Sequence, residues 1–309
     1  MRAPLSSSDN PQFESQPLVN GDPPPVGTEP QLPAPASTDP FAPQSLAPAA
    51  IPVVVAPLPR DPVWSGWDVL LIALLTLVTL IVVELLTVVG ARVFVFRHTS
   101  LGDLAQKPVL ALLGEFFSYI AVAMYMVMLV EGKYHARFWQ AIRWNWPSSG
   151  AKVAGLGALG AFTITLDALG NHYLPLPKST PFDQFFAHPS DAYLMAFFAV
   201  TFGPLMEELF FRGFLYPVLV RRIGVLLAVP LTAVPFGLIH YLQYKSWAAV
   251  LVITMVGVVL TVVREVTKSV ASSFLVHAGY NATLMVLAAV ATDGFRHMDK
   301  AVMIPFPLR

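Results

Sequence analysis

The chain has 309 residues, of which 55% are hydrophobic and only 12% charged, with a mean hydropathy of +0.62 and zero formal net charge. Charged residues make up about a quarter of an ordinary soluble protein, so this composition specifies a polytopic membrane protein. The balanced charge gives no support for a nucleic-acid partner, and the absence of cysteine excludes disulfides, thiolate metal sites and cysteine catalysis.

Residues 1–62 are a different material. They hold more than half of the 28 prolines, in strings such as Asp22-Pro-Pro-Pro25 that favour polyproline or coil and bury no core. A disordered tail is expected there. The first apolar span, Trp67–Val89, is long enough for a hydrocarbon core that takes roughly 20 helical residues. Trp64 and Trp67 stand at its entrance, where amphipathic aromatics favour the interface. Glu84 lies inside it and Glu115 inside the second span, Val109–Val130; both read as carboxylates with polar partners or near an interface. Tyr134–Pro147 mixes Arg137 and Arg143 with Trp139, Trp144 and Trp146, which predicts a short helix lying on the membrane surface.

The third span, Val153–Gly170, is rich in Gly and Ala and is expected to pack centrally, since small residues let helices approach closely in lipid. Asp167 near its end reads as interfacial. A loop, 171–189, carries His172 and His188 as solvated side chains. The fourth span runs from about Asp191 to Arg222, longer than a bilayer needs, with Gly203-Pro204 as a kink just before two glutamates. The fifth is Val225–Tyr241, the sixth Trp247–Val263 and the seventh Val270–Ala291. The expected fold class is therefore all-α, a polytopic transmembrane bundle of about seven or eight spans. Its helical domain occupies residues 63–295, with a C-terminal tail at 296–309. Lys and Arg are shared almost equally between alternate loops, which leaves the orientation open.

Three polar constellations interrupt these apolar helices. Glu207, Glu208 and Arg212 occupy the fourth, His240 the fifth, and His277 with Asn281 the seventh. A charge at membrane depth is costly unless it meets a partner, the protein interior or water. Residues four apart share a helix face, so Glu208 is expected to pair with Arg212 while Glu207 points elsewhere. A hairpin turning at Ile223-Gly224 places Glu207 and His240 at one level, each roughly 22 Å from the turn. His277 enters only about 11 Å along its own helix, so a shared site requires the Arg221-Arg222 end to protrude. Singly, the histidines read as packing residues, Glu208–Arg212 as a buried ion pair and Asn281 as a bridge between helices. Together, Glu207, His240, His277 and Asn281 are the groups from which a metal or activated-water site is built.

Glu-Glu-x-x-x-Arg (207–212), Phe-x-x-x-His (236–240) and His-x-x-x-Asn (277–281), in that order on successive apolar helices, resemble the ABI or CPBP family of intramembrane proteases, related to the type II CAAX prenyl endopeptidase and to bacteriocin-immunity proteins. The resemblance covers roughly residues 150–291. It implies an all-α membrane bundle, a multi-pass integral membrane location (the inner or plasma membrane in a bacterium) and hydrolysis of a peptide bond in a membrane-associated or lipidated peptide. In that reading Glu207 is the general base of a water shared with His240. His240, His277 and Glu207 ligate a divalent metal, zinc first. Asn281 orients His277 or binds the oxyanion, and Glu208 with Arg212 positions the motif helix. A metal-free glutamate mechanism, with His277 and Asn281 as the oxyanion hole, uses the same residues. The other function classes open at this point are a membrane scaffold or immunity factor without catalysis and a proton- or ion-coupled transporter.

Overall fold

A computed structural model describes residues 61–177 and 179–298. The expected tail at 1–60 and the residues from 299 onward lie outside the described residues. Twelve α-helices follow one another among the latter, and no strand occurs there. They are α1 Gly66–Phe94, α2 Leu101–Ala105, α3 Pro108–Val127, α4 Phe138–Ala141, α5 Gly150–Thr163, α6 Thr165–Tyr173, α7 Pro189–Val200, α8 Phe202–Glu208, α9 Tyr216–Ile239, α10 Tyr241–Tyr244, α11 Trp247–Thr267 and α12 Val270–Ala291. A π-helical turn, Met128–Lys133, extends α3, and another, Leu209–Leu215, joins α8 to α9. Among the described residues, six stretches are long and apolar enough to cross a membrane. The protein is a multi-pass integral membrane protein.

The helix starts follow from serine side chains accepting the first free backbone donors. Ser65, Ser149, Ser246 and Ser269 cap α1, α5, α11 and α12. The outer face of α1 keeps Leu70, Leu74, Leu77, Ile81 and Leu85 exposed, the surface of a helix whose neighbour is lipid rather than protein.

The longest stretch, Pro189–Tyr244, spans 56 residues and cannot be one straight crossing. Gly224 breaks it, at φ 74° and ψ 169°. Only glycine adopts that backbone without steric cost. The chain reverses there, which brings Phe236 against Phe211 at 5.3 Å between ring centroids. The expected hairpin at Ile223-Gly224 is thus formed. Tyr216 donates to Glu265 near the end of α11, so the arm from Tyr216 to Gly224 runs on past the α11–α12 turn by about 12 Å at 1.5 Å per residue.

The close helix approach expected of α5 is formed, but its central placement is not: only Gly160 and Thr163 of α5 are buried and most of the helix is exposed, so it packs on α12 at the edge of the bundle. A Cβ on Gly160 would lie 2.2 Å from the Val276 carbonyl oxygen, and one on Gly279 would lie 2.7 Å from that of Gly157. The backbones of α5 and α12 therefore touch, which only small residues allow.

Three further expectations change. Tyr134–Pro147 is mostly irregular: only Phe138–Ala141 is helical, because His135 and Arg143 take positive φ and interrupt the helix on either side. Asp167 is not interfacial but fully buried, accepting from the Tyr280 hydroxyl at 3.0 Å. The loop 171–189 is not wholly irregular, since Pro181–Phe186 forms a 3-10 turn with Phe182 and Phe186 in the core.

Gly160→Ala should lower the thermal unfolding midpoint of the purified protein, by an overpacking cost of about 1–3 kcal/mol. Gly155→Ala, where a Cβ meets nothing within 4 Å, should leave the midpoint unchanged or raise it.

Candidate active site

Glu208 and Arg212 are both fully buried and pair at 2.9 Å across one helical turn. Every polar edge of the pair is used. Arg212 Nη2 donates to the Gly257 carbonyl at 2.8 Å and Nε to Thr261 Oγ1 at 3.3 Å, both on α11. Its guanidinium carbon lies 4.4 Å from the centre of the Phe236 ring, a favourable cation–π placement. Glu208 Oε2 accepts from Ser273 at 2.5 Å, and Oε1 lies 3.0 Å from His277 Nδ1. A buried charge this well partnered is tolerable; an unpaired one is not. The pair thus pins α8, α11 and α12 together, as the spacing of its two residues predicts. Ser273, Thr261 and Gly257 carry no sequence signal of this role, because small polar residues on apolar helices are common packing residues.

Glu207 points away from that web into a cavity, and its side chain is 21% exposed. His240 Nε2 stands 3.8 Å from Glu207 Oε1, and His277 Nε2 stands 3.6 Å from Glu207 Oε2. The other ring nitrogens settle both tautomers. His240 Nδ1 lies 2.8 Å from the Phe236 carbonyl oxygen, which can only accept. His277 Nδ1 faces the Glu208 carboxylate paired with Arg212, which also accepts. Both Nδ1 atoms therefore carry a proton, and in the neutral form of each ring the Nε2 lone pair faces Glu207. The two imidazoles then flank one carboxylate as acceptors, at separations too long for direct hydrogen bonds. A proton donor or a cation between them relieves that repulsion, and a water fits such a gap. His277 reaches the level of Glu207 despite its short distance along α12, because the hairpin arm overruns the α11–α12 turn.

The cavity measures about 380 Å³, within the range of small-ligand pockets. Asn281 lines it, but its amide donates to the Ala199 carbonyl at 2.7 Å. Orienting His277 therefore falls to Glu208, not to Asn281. Glu115 of α3 and Gln184 of the 3-10 turn also line the cavity, and the Tyr119 hydroxyl donates to Glu115 at 2.5 Å. The sequence marks Glu115 only as a carboxylate with a polar partner or near an interface, since nothing in its helix predicts which way it faces. Tyr280 lines the cavity too and is held by Asp167. It carries no charge to mark it in the sequence.

The donor types of Glu207, His240 and His277 suit a divalent metal, and His277 has the carboxylate partner on its other nitrogen that metal-bound imidazoles commonly have. Donors on a tetrahedral zinc with bonds of about 2.0–2.1 Å lie roughly 3.3–3.4 Å apart. The two Glu207–imidazole separations are a few tenths wider, and among the described residues no group of three His, Asp or Glu side chains is arranged to hold a metal ion.

Residues 189–283 match the family model described as type II CAAX prenyl endopeptidase Rce1-like. This segment is similar to Rce1-like domains. It takes in α7 to α11 and α12 as far as Thr283, under a third of the chain, and it contains Glu207, Glu208, Arg212, His240, His277 and Asn281. No curated protein and no solved structure matches the chain. The Rce1-like segment supports a CAAX-type intramembrane endopeptidase in general, acting on a membrane-associated peptide in a bilayer setting. Glu115 and Tyr119 stand outside that segment, so α3 contributes to the cavity from beyond the family match.

Replacing Arg212 with Leu should destabilise the protein by about 3–5 kcal/mol in chemical or thermal unfolding, because Glu208 would remain buried without a counter-charge. Glu207→Gln, at a partly exposed group with no hydrogen bond to lose, should move the unfolding midpoint little.

Proposed function

We propose that the protein is an intramembrane endopeptidase that cleaves a peptide bond in a membrane-associated, lipidated peptide by means of a water activated at Glu207. The observation that carries this reading is the convergence of the Glu207 carboxylate and two imidazole Nε2 lone pairs in a cavity, with each imidazole locked from behind. A water there donates one proton to Glu207 and one to His240. Glu207 takes the first proton as the water oxygen attacks the scissile carbonyl. A C–O bond forms, and the carbonyl π pair moves onto oxygen. As the tetrahedral intermediate collapses, the C–N bond breaks and Glu207 returns its proton to the departing amine. Proton transfer of this kind contributes roughly 10²–10⁴-fold to a rate.

Asn281 has a second amide N–H beyond the one given to Ala199, and from the cavity wall it can donate to the developing oxyanion. The role of His277 follows from its tautomer. With Nδ1–H directed at Glu208, neutral His277 offers a lone pair at Nε2, which is a ligand and not a donor. That supports His277, His240 and Glu207 as the residues that would hold a divalent metal, zinc first. Such an ion, when bound, would supply Lewis-acid polarisation of the scissile carbonyl and of the water. A metal-free oxyanion role would instead require His277 to be doubly protonated. Phe182, Phe185, Phe198 and Leu242 on the cavity wall suit an apolar substrate segment.

The test is cleavage of a peptide panel, with and without a prenylated cysteine, by the protein reconstituted in liposomes. Glu207→Gln and His240→Ala should each lower turnover by at least about 10²-fold. Undiminished cleavage in either variant would sink the assignment. In a second measurement, chelation should abolish turnover and added zinc restore it; turnover that survives chelation selects the metal-free glutamate mechanism.

A further inference from the structure

A second polar pocket lies at the Gly224 end of the bundle, away from the catalytic cavity. It measures about 190 Å³ and is lined by Arg143, Arg221, Arg264 and Lys268 together with Asp61 and Glu265. Four cations thus face two carboxylates, and both carboxylates are already engaged. Asp61 pairs with Arg143, and Glu265 pairs with Lys268 while accepting from the Tyr216 hydroxyl at 2.9 Å. Arg221 directs its terminal nitrogens to the carbonyls of Pro62 and Trp64 at 2.6 and 3.2 Å.

Arg264 is the informative residue. It is only 3% exposed, yet among the described residues it forms no ion pair. Its one hydrogen bond runs from Nε to the Arg212 carbonyl at 3.2 Å. A guanidinium has five donors, so its terminal amino groups are left to face the pocket it lines. The two carboxylates of the pocket attract Arg264 but are each paired with another cation, so burying this guanidinium without a direct ion pair is costly, and the bond to Arg212 keeps it from swinging out to water. Such a placement is what a preorganised anion site requires, since the fork of a guanidinium matches phosphate geometry.

The surroundings narrow the ligand class. Trp64, Trp139, Trp144 and Trp146 belong to the same corner of the bundle. Trp139 and Trp146 are exposed, and Trp144 meets both edge-to-face. Tryptophans gather at the membrane–water boundary, where lipid phosphates stand, and basic pockets between helices at that level take anionic headgroups.

We propose that this pocket binds a phosphate group, presented by an anionic phospholipid headgroup or by free phosphate, with Arg264 as its buried anchor and Arg143 and Lys268 at its rim. The proposal does not depend on the protease reading, and its test involves no catalysis. Full-length protein is placed in nanodiscs of phosphatidylcholine alone, or of phosphatidylcholine with phosphatidylglycerol, and its thermal unfolding midpoint is measured. In a second arm, sodium phosphate is titrated against sodium chloride at matched ionic strength.

A midpoint raised by phosphatidylglycerol but not by phosphate identifies the lipid as source. A rise with inorganic phosphate as well shows that the free anion is enough. The double variant Arg143→Gln, Lys268→Gln, whose side chains are half-exposed, should fold and should weaken the effect at least tenfold in ligand concentration. Arg264→Lys should weaken it too while keeping the charge. No shift with either probe overturns the proposal. So does a shift undiminished in the double variant, which would mark diffuse surface attraction.

Discussion

The ion pair between Glu208 and Arg212, with no water-exposed edge, is the constraint on which the rest of the site depends. Two opposite charges inside an apolar bundle are tolerable only when every remaining donor and acceptor is met. Here that requirement recruits Gly257 and Thr261 from α11, Ser273 and His277 from α12, and the face of Phe236 from the returning hairpin arm. One pair therefore sets the relative depth of four helices. It also aligns the catalytic candidates, because the same Glu208 oxygen that takes Arg212 takes His277 Nδ1. Structure and chemistry share an atom.

The neighbouring glutamate owes its different behaviour to one step along the helix. Glu207 turns roughly 100° away from Glu208 and lands in the cavity instead of the web. The π-helical turn Leu209–Leu215 begins directly after Glu208 and contains Arg212, and such bulges occur frequently at functional sites. Beyond it, Gly224 supplies the reversal that carries His240 back to Glu207. A residue with a Cβ at Gly224 would be strained, and His240 would then lose its place opposite the carboxylate.

The cavity wall comes from more of the chain than the motif helices. Glu115 with Tyr119 stands on α3, and Tyr280 is held by Asp167 of α6. One Asp167 oxygen has no partner among the described residues, so this carboxyl is a further buried acid close behind the site. At the other end of the bundle, Arg264 touches the backbone of Arg212, which ties the polar corner under the tryptophans to the turn that follows Glu207 and Glu208.

Much of this was legible in the sequence, for identifiable reasons. Helical period and apolar length located the crossings, since backbone groups in lipid must be satisfied within each helix. The four-residue spacing of Glu208 and Arg212 predicted their bond, because i and i+4 are neighbours on any α-helix. Equal distances from Gly224 predicted the meeting of Glu207 and His240. The rest was set by tertiary contacts. Asp167 sits near the end of an apolar run and reads as interfacial, yet Tyr280 draws it inside. Of the two roles expected of Asn281, orienting His277 or binding the oxyanion, the first falls to Glu208 on another helix. Glu115, Ser273 and Arg264 owe their roles to the faces they turn inward. Local spacing determines what shares a helix face; only the mutual rotation and depth of packed helices decides which faces meet, and that depends on contacts far apart in the chain.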